Sequence, residues 1–354
     1  MKIRSIFFLI FLVLFQTSGL FAQLHSQSSF RFVNLVTSPR VAGFGGNMIN
    51  VKDNDLSLAY ANPALLNSAM DNQLSLSYLN YIAGINYGMF SYAKDVENIG
   101  TFAVNMQFVG YGKFDETDNS GAVIGSFSAN QTGINLAGSR QITDRFSAGA
   151  QLKFLFSNLE RYTAFGMGID LAGTYHIEEE FLTTSLVFKN IGYQLSSYYD
   201  DGEKAPLPFE IQIGVSKKMK HAPFRLSIVL ENLQQWDLSY IDPNLIGKTD
   251  PLTGEQVEIQ EASFGKKLML HTVFGLELVF TENIMVQFGY NYRRRDELKT
   301  EQKPALAGFS FGFGAKFGAF KISYALSGFN QAGAANHFGL ALFFNEMKKE
   351  KVLN

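Results

Sequence analysis

Apolar and polar positions alternate along most of this chain with a period of two, the spacing of a strand that hides one face and shows the other. In Ile284 to Tyr292 (IMVQFGYNY), Ile284, Val286, Phe288, Tyr290 and Tyr292 share one face, and Met285, Gln287, Gly289 and Asn291 share the other. Phe224 to Glu231 repeats the pattern, with Phe224, Leu226, Ile228 and Leu230 opposing Arg225, Ser227, Val229 and Glu231. The same beat runs through 102–108, 146–156, 268–280, 309–317, 320–326 and 338–344, and helical spacing fits none of them. Counting segments bounded by turn residues predicts fourteen strands, near 73–81, 84–93, 101–111, 131–141, 146–157, 164–176, 182–190, 208–217, 223–231, 268–280, 284–293, 306–317, 320–327 and 337–344. Several exceed the soluble mode of about five or six residues and approach the roughly 9–11 that a tilted strand needs to cross a bilayer.

The connections sort by parity. Links after even-numbered strands are short, around 95–100, 142–145, 177–181, 218–222, 281–283 and 318–319. Links after odd-numbered strands are mostly long, at 112–130, 191–207, 232–267, 294–305 and 328–336. Outer-membrane barrels have short periplasmic turns and longer outer loops, so parity predicts both termini on the periplasmic side. Lipid cannot satisfy an open sheet edge, which forces closure. The fold class expected is therefore all-β and transmembrane, an antiparallel barrel of about fourteen strands. Phe, Leu, Ile and Tyr should face lipid, with Tyr175, Tyr290, Tyr292 and Phe344 suited to the interfacial girdles. Asn105, Gln107, Gln151, Lys153, Gln212, Arg225, Gln287 and Asn291 should face a polar lumen. A soluble β-sandwich is the competing architecture, but its outward faces should be polar rather than rich in Phe.

Composition narrows the picture in three places. The 34 Phe and 15 Tyr fit a lipid-facing wall, and only 18% of residues are charged. Thirty Lys and Arg against 32 Asp and Glu leave a net charge of −2, with no basic surface for nucleic acid. The absence of Cys removes disulfides, thiolate metal sites and cysteine nucleophiles. Residues 1–22 read as a secretory signal, with Lys2 and Arg4, an apolar run from Ile6 to Phe15, and cleavage expected after Ala22. Beyond it no run is long and apolar enough for a transmembrane helix.

Residues 23–72 differ from the alternating chain. Gly43, Gly45 and Gly46 precede Asp53-Asn54-Asp55 and a helix-like stretch from Leu56 to Asn67, which Asp55 would cap and Pro63 would kink or end. This segment is either a plug folded into the periplasmic mouth or an ordinary N-terminal extension. Residues 73–344 form the barrel, and 345–354 form a Lys-rich periplasmic tail.

Chemistry-bearing motifs are sparse. The five His, at 25, 176, 221, 271 and 337, have no paired spacing for a metal. Two Ser-x-x-Lys tetrads, Ser91 to Lys94 and Ser263 to Lys266, lack the companion elements of a serine acyltransferase. Gly166/Gly168 and Gly312/Gly314 lie inside strands and read as small lumen-facing or bend positions. Glu178 to Glu180 read as a solvated turn, and Arg293 to Arg295 as a solvated rim or a contact for lipid A phosphate. No catalytic residue, cofactor or metal site is assigned, so an enzyme is not expected. The long link 232–267 carries the sole Trp, Trp236, with Leu238, Tyr240, Ile241 and Asp242 beside it. These residues either anchor a partner or fold back to cap their own barrel.

SPRVAGFGGNMINVKDNDLSLAYANPALL at 38–66, with its Asn62-Pro63-Ala64 core, and LSLSYLNYIAGINYGMFSYAKD at 74–95 resemble the PorV/PorQ family, relatives of the FadL-type long-chain fatty acid transporters, and lie nearest its PorQ-like members. The motif-like portion is 38–95; the rest is pattern. The resemblance implies a FadL-like barrel with Asn62, Pro63 and Ala64 as its plug motif. It further implies a subunit of the type IX secretion system of Bacteroidetes. Such a subunit anchors a cell-surface attachment complex with PorZ-like, PorU-like and PorV-like partners, amid outer-membrane lipid and lipopolysaccharide. The alternative function is a FadL-like transporter of long-chain fatty acids or other hydrophobic compounds, which requires an apolar pocket between plug and wall.

Overall fold

A computed structural model describes residues 29–81, 84–199, 202–239, 262–281, 283–298, 306–330 and 333–347. Fourteen strands form a closed antiparallel barrel: β1 (Gln73–Asn80), β2 (Asn86–Val96), β3 (Gly100–Thr117), β4 (Val123–Gln141), β5 (Phe146–Leu159), β6 (Tyr162–Ile177), β7 (Leu182–Ser196), β8 (Glu210–Lys218), β9 (Phe224–Leu230), β10 (Thr272–Val279), β11 (Ile284–Asn291), β12 (Phe309–Phe317), β13 (Phe320–Asn330) and β14 (Gly333–Phe343). Each strand pairs with its chain neighbours, and β14 closes on β1 from Gln73↔Phe343 to Asn80↔Asn336. Among the described residues no helix is long and apolar enough to span a membrane.

The two faces separate as the alternation requires. Phe224, Leu226 and Ile228 are exposed on the outer wall while Ser227 and Val229 are buried inside. Asn105, Gln107, Gln151, Lys153, Gln212, Gln287 and Asn291 are all buried. An outward shell of Phe, Leu, Ile and Val is unstable in water and favourable in hydrocarbon, which explains why the wall faces outward with its largest apolar groups. Tyr175 is exposed near one end, and Tyr290 packs on Phe309 near the other with ring centroids 4.8 Å apart. Tyr292 instead starts helix α3 (Tyr292–Leu298), because β11 ends at Asn291.

Several boundaries differ from expectation. The links after even-numbered strands are short, as parity predicts, but 112–130 is not a long loop. There β3 and β4 run on as a two-stranded ribbon, pairing Lys113↔Ser128 through Thr117↔Val123, and turn at 118–122. β13 and β14 likewise consume most of 328–336. Glycine and polar residues hide such extensions, because a ribbon in water has no lipid face to mark with apolar residues. The expected strand start at 268 is also overturned. Phe264–Leu270 is a helix, α2, whose Ser263 hydroxyl accepts from the Lys266 N–H at 3.3 Å. The alternation carries back into 268–270, but the Ser263 cap starts a helix that runs through it.

The N-terminal segment lines the interior from one end to the other. Phe30, Phe32 and Val33 pack with Leu79, Tyr87, Val109 and Leu155 at the end where the odd-numbered links lie. Leu56, Leu66 and Met70 pack with Ala93, Ala103 and Ala137 at the opposite end. The expectation of a plug confined to one mouth is thus too narrow, and Ser29 lies beside Pro206 in the β7–β8 link, away from the end where β14 finishes. The stretch from Leu56 to Asn67 is not one helix. It forms separate 3₁₀ turns at Leu56–Leu58 and Pro63–Leu65, and a third follows at Ser68–Met70; the side chains of Asp55, Asn62 and Asn67 cap them. Asn62 precedes proline and is held extended, so the first turn cannot propagate into the second. Residues 1–28 and the tail beyond 347 fall outside the described residues.

Candidate functional site

Asn62, Pro63 and Ala64 fasten the inner segment to the wall. The Asn62 amide donates to Ile49 O at 2.6 Å and to Thr174 Oγ1 of β6 at 3.0 Å, while its carbonyl accepts from Ala64 N at 2.9 Å. Ser147 of β5 donates to Ala64 O at 2.8 Å. The Pro63 and Ala64 backbone lies so close to Gly149 that any Cβ there would collide with it. Glycine is required by this close approach, not by backbone dihedrals. The motif therefore turns a polar backbone into partners for the lumen-facing strands, so that its buried amides and carbonyls are satisfied where water is excluded.

A balanced ion-pair network ties the same segment to the opposite wall. Helix α1 (Pro39–Gly43) begins at a Ser38 cap and presents Arg40, which contacts Glu277 of β10 at 2.9 Å, Asp55 at 3.1 Å and Asp53 at 2.7 Å. Lys321 of β13 meets Asp55 at 2.7 Å, and Arg225 of β9 meets Glu277. Three cations face three carboxylates, and Gln287 donates to Glu277 at 3.2 Å. Burial by itself would raise the Asp55 carboxyl, but Lys321 and Arg40 overcome it and hold that group well below the usual carboxylate range. None of Arg40, Glu277 or Lys321 stood out in the sequence. Period-two alternation identifies an inward position, yet it does not say which charge from elsewhere meets it.

At the end bearing the long links, Trp236 folds back onto its own barrel while part of it stays exposed. It stacks on His271 at 5.1 Å and packs on Phe264 of α2 at 5.5 Å, yet it remains 41% exposed. His271 hydrogen bonds Glu231 O at 2.7 Å and Trp236 O at 3.0 Å, and Asp237 pairs with Lys267 at 2.6 Å. Leu238 is half-buried, while Tyr240, Ile241 and Asp242 fall outside the described residues. The Arg triplet is not a solvated rim. Arg293 contacts Glu231 at 3.3 Å, and Arg294 lies against Gly46 of the inner segment.

The remaining motifs are structural where they are described. Ser91 is buried on the inner face of β2, while Lys94 points outward to Asp71 at 2.9 Å. Ser263 is the cap of α2. Gly166 accommodates the Phe30 ring, and Gly312 lies against Gly43. His176 and His337 contact Thr183 and Ser327 separately, and no cluster of His, Asp and Glu suited to a metal occurs among the described residues.

No protein-family model and no curated protein matches the chain. Solved structures do. The TodX monoaromatic hydrocarbon channel deltaS2 mutant aligns at 13% identity with TM-score 0.50, covering 88% of this chain and 98% of that one. The CymD monoaromatic hydrocarbon channel aligns at 12% and 0.49 over 88% and 97%. A Pseudomonas aeruginosa FadL homologue aligns at 12% and 0.44 over 87% and 98%. Identities this low speak to fold alone. With its register closed, its outer wall apolar and its lumen filled from within, the chain is an outer-membrane β-barrel of fourteen antiparallel strands that shares its fold with the TodX channel.

Proposed function

We propose that this barrel is a membrane anchor and docking platform for a cell-surface attachment complex, in the type IX secretion setting that residues 38–95 suggest by resemblance. Its partners on this reading are PorZ-like, PorU-like and PorV-like subunits. The observation that carries the reading is the lumen: residues 29–72 occupy it along its length and are pinned by the Arg40, Asp55 and Glu277 pairs on one side and Asn62-Pro63-Ala64 on the other. A core so tied suits a rigid scaffold better than a conduit. The half-exposed Trp236, with Phe264 at 70% exposure, offers an aromatic anchor of the type that dominates interfaces. Tyr240, Ile241 and Asp242 would extend it. Affinity purification from native membranes should recover a surface subunit whose retention fails when 236–262 is deleted, while the barrel still shows heat-modifiable migration. Unchanged retention would remove this loop from the interface.

A second reading is favoured by the apolar cluster of Phe30, Phe32, Val33, Tyr87 and Leu155 between segment and wall. It makes the protein a channel for hydrophobic compounds. Uptake of a long-chain fatty acid or toluene into liposomes carrying the purified protein distinguishes it from the anchor, for which uptake stays at the background of protein-free liposomes.

A further inference from the structure

The apolar outer wall is not even. Across β4, β5 and β6, at the end of the short links, it sinks into a groove of about 1060 Å³. Register assembles the floor: Gly138 stands opposite Ala150, and Ala148 opposite Gly173, four outward positions with a small side chain or none. Strands about 4.8 Å apart make this floor about 10 Å wide. The exposed side chains of Leu152 and Leu171 rise beside it. The Phe102 ring rests on Gly138 and the Phe146 ring on Gly173, so neither fills the space above Ala148 and Ala150.

The mouth of the groove carries a cation. Arg140 of β4 stands directly opposite Ala148, lines the groove and is exposed, and its guanidinium makes no ion pair or hydrogen bond among the described residues. The neighbouring Arg145 is taken by Glu179 at 3.4 Å, and Asp95 accepts from Thr101 at 2.6 Å. Glu97, Asp144, Glu178 and Glu180 lie beyond the strand ends, in the turns, whereas Arg140 lies within its strand. Arg140 is therefore placed at the level of lipid headgroups and the carboxylates further out in water. A depression in a lipid-facing wall is filled by a molecule with a long apolar part, and a free guanidinium at its mouth favours one whose head is an anionic phosphate. The short links mark this end as periplasmic, where the bilayer lipids are phospholipids.

We propose that this groove binds one anionic phospholipid of the periplasmic leaflet, its acyl chains on the Ala148 and Ala150 floor and its phosphate paired with Arg140. A zwitterionic phospholipid fits the same floor but brings its own cation to Arg140, so charge selects the anionic lipid. The site needs the barrel to lie in a membrane and is independent of the anchor reading, since neither partner docking nor conduction enters it.

The test is native mass spectrometry of the full chain released from nonionic detergent micelles that carry equal amounts of phosphatidylglycerol and phosphatidylethanolamine. The parent should retain one phosphatidylglycerol, about 5-fold in preference to phosphatidylethanolamine. Arg140→Gln should remove that preference. Ala150→Phe, which fills the floor from an exposed outer position, should lower retention of both lipids. Lys217→Gln removes another exposed cation at the same end, on β8 and outside the groove, and should change nothing. Heat-modifiable migration checks that each variant is still a closed barrel. The proposal is overturned if the parent retains the two lipids equally, if Arg140→Gln keeps the preference, if Ala150→Phe retains lipid as the parent does, or if Lys217→Gln loses as much as Arg140→Gln.

Discussion

Asp237 and Trp236 show how one residue's ionisation can govern the arrangement of a mouth. Hydrogen bonds from Lys267 first, and then from Ser239, hold the Asp237 carboxyl down to about 2. Because this pKa is depressed, the contact is complete above the ordinary carboxylate value of about 4 and is lost as pH falls through about 2. Trp236 is the sole Trp, so its emission reports this contact without interference. Tryptophan fluorescence should stay constant from neutral pH to about 4 and shift red with a midpoint near 2. In Lys267→Met that midpoint should rise toward about 4. A titration that is the same in both proteins contradicts the assignment.

Among the elements, the β3–β4 ribbon is the part least supported by its surroundings. Beyond Gly110 the β2 partner ends, and residues on both faces are exposed or half-buried, including Val123 at 62% and Ile124 at 63%. Phe114 stacks on Phe127 at 5.4 Å within the ribbon. An isolated two-stranded ribbon is marginal in water, so it contributes little to the barrel. Replacing 112–128 by a short Asn-Gly turn should leave heat-modifiable migration and the thermal midpoint within a few degrees of the parent. Protease should cut the ribbon before any other described strand. The alternation that reveals the wall strands is weak here for the same reason: both faces of the ribbon meet water, and no burial constrains either one.

For the whole molecule the question is what keeps the lumen filled. Arg40 joins three carboxylates contributed by the inner segment and the wall, and removing one member of a buried charge cluster leaves the others uncompensated. Such losses cost about 3–5 kcal/mol. Arg40→Met should lower the urea midpoint of the liposome-reconstituted protein accordingly, and planar-bilayer recordings should show intermittent conductance where the parent is silent. Glu277→Gln, which keeps a hydrogen-bonding group beside Arg40 but removes the charge, should fall between them. A silent Arg40→Met protein with an unchanged midpoint would mean that the segment is held by packing alone.

Periodicity and composition by themselves determined the strand count, the strand order and the outward face, because each depends on local alternation and on the insolubility of Phe, Leu and Ile in water. They also marked Asn62-Pro63-Ala64 and the Trp236 link as unlike the wall. Only the closed structure decided that the inner segment spans the lumen, that Arg40 meets Glu277, and that the Arg triplet turns inward. Those outcomes depend on which inward positions stand opposite one another across the barrel. Their partners are set by register and closure, between residues as far apart as 40 and 277, and no local pattern of hydrophobic and polar residues encodes such a separation.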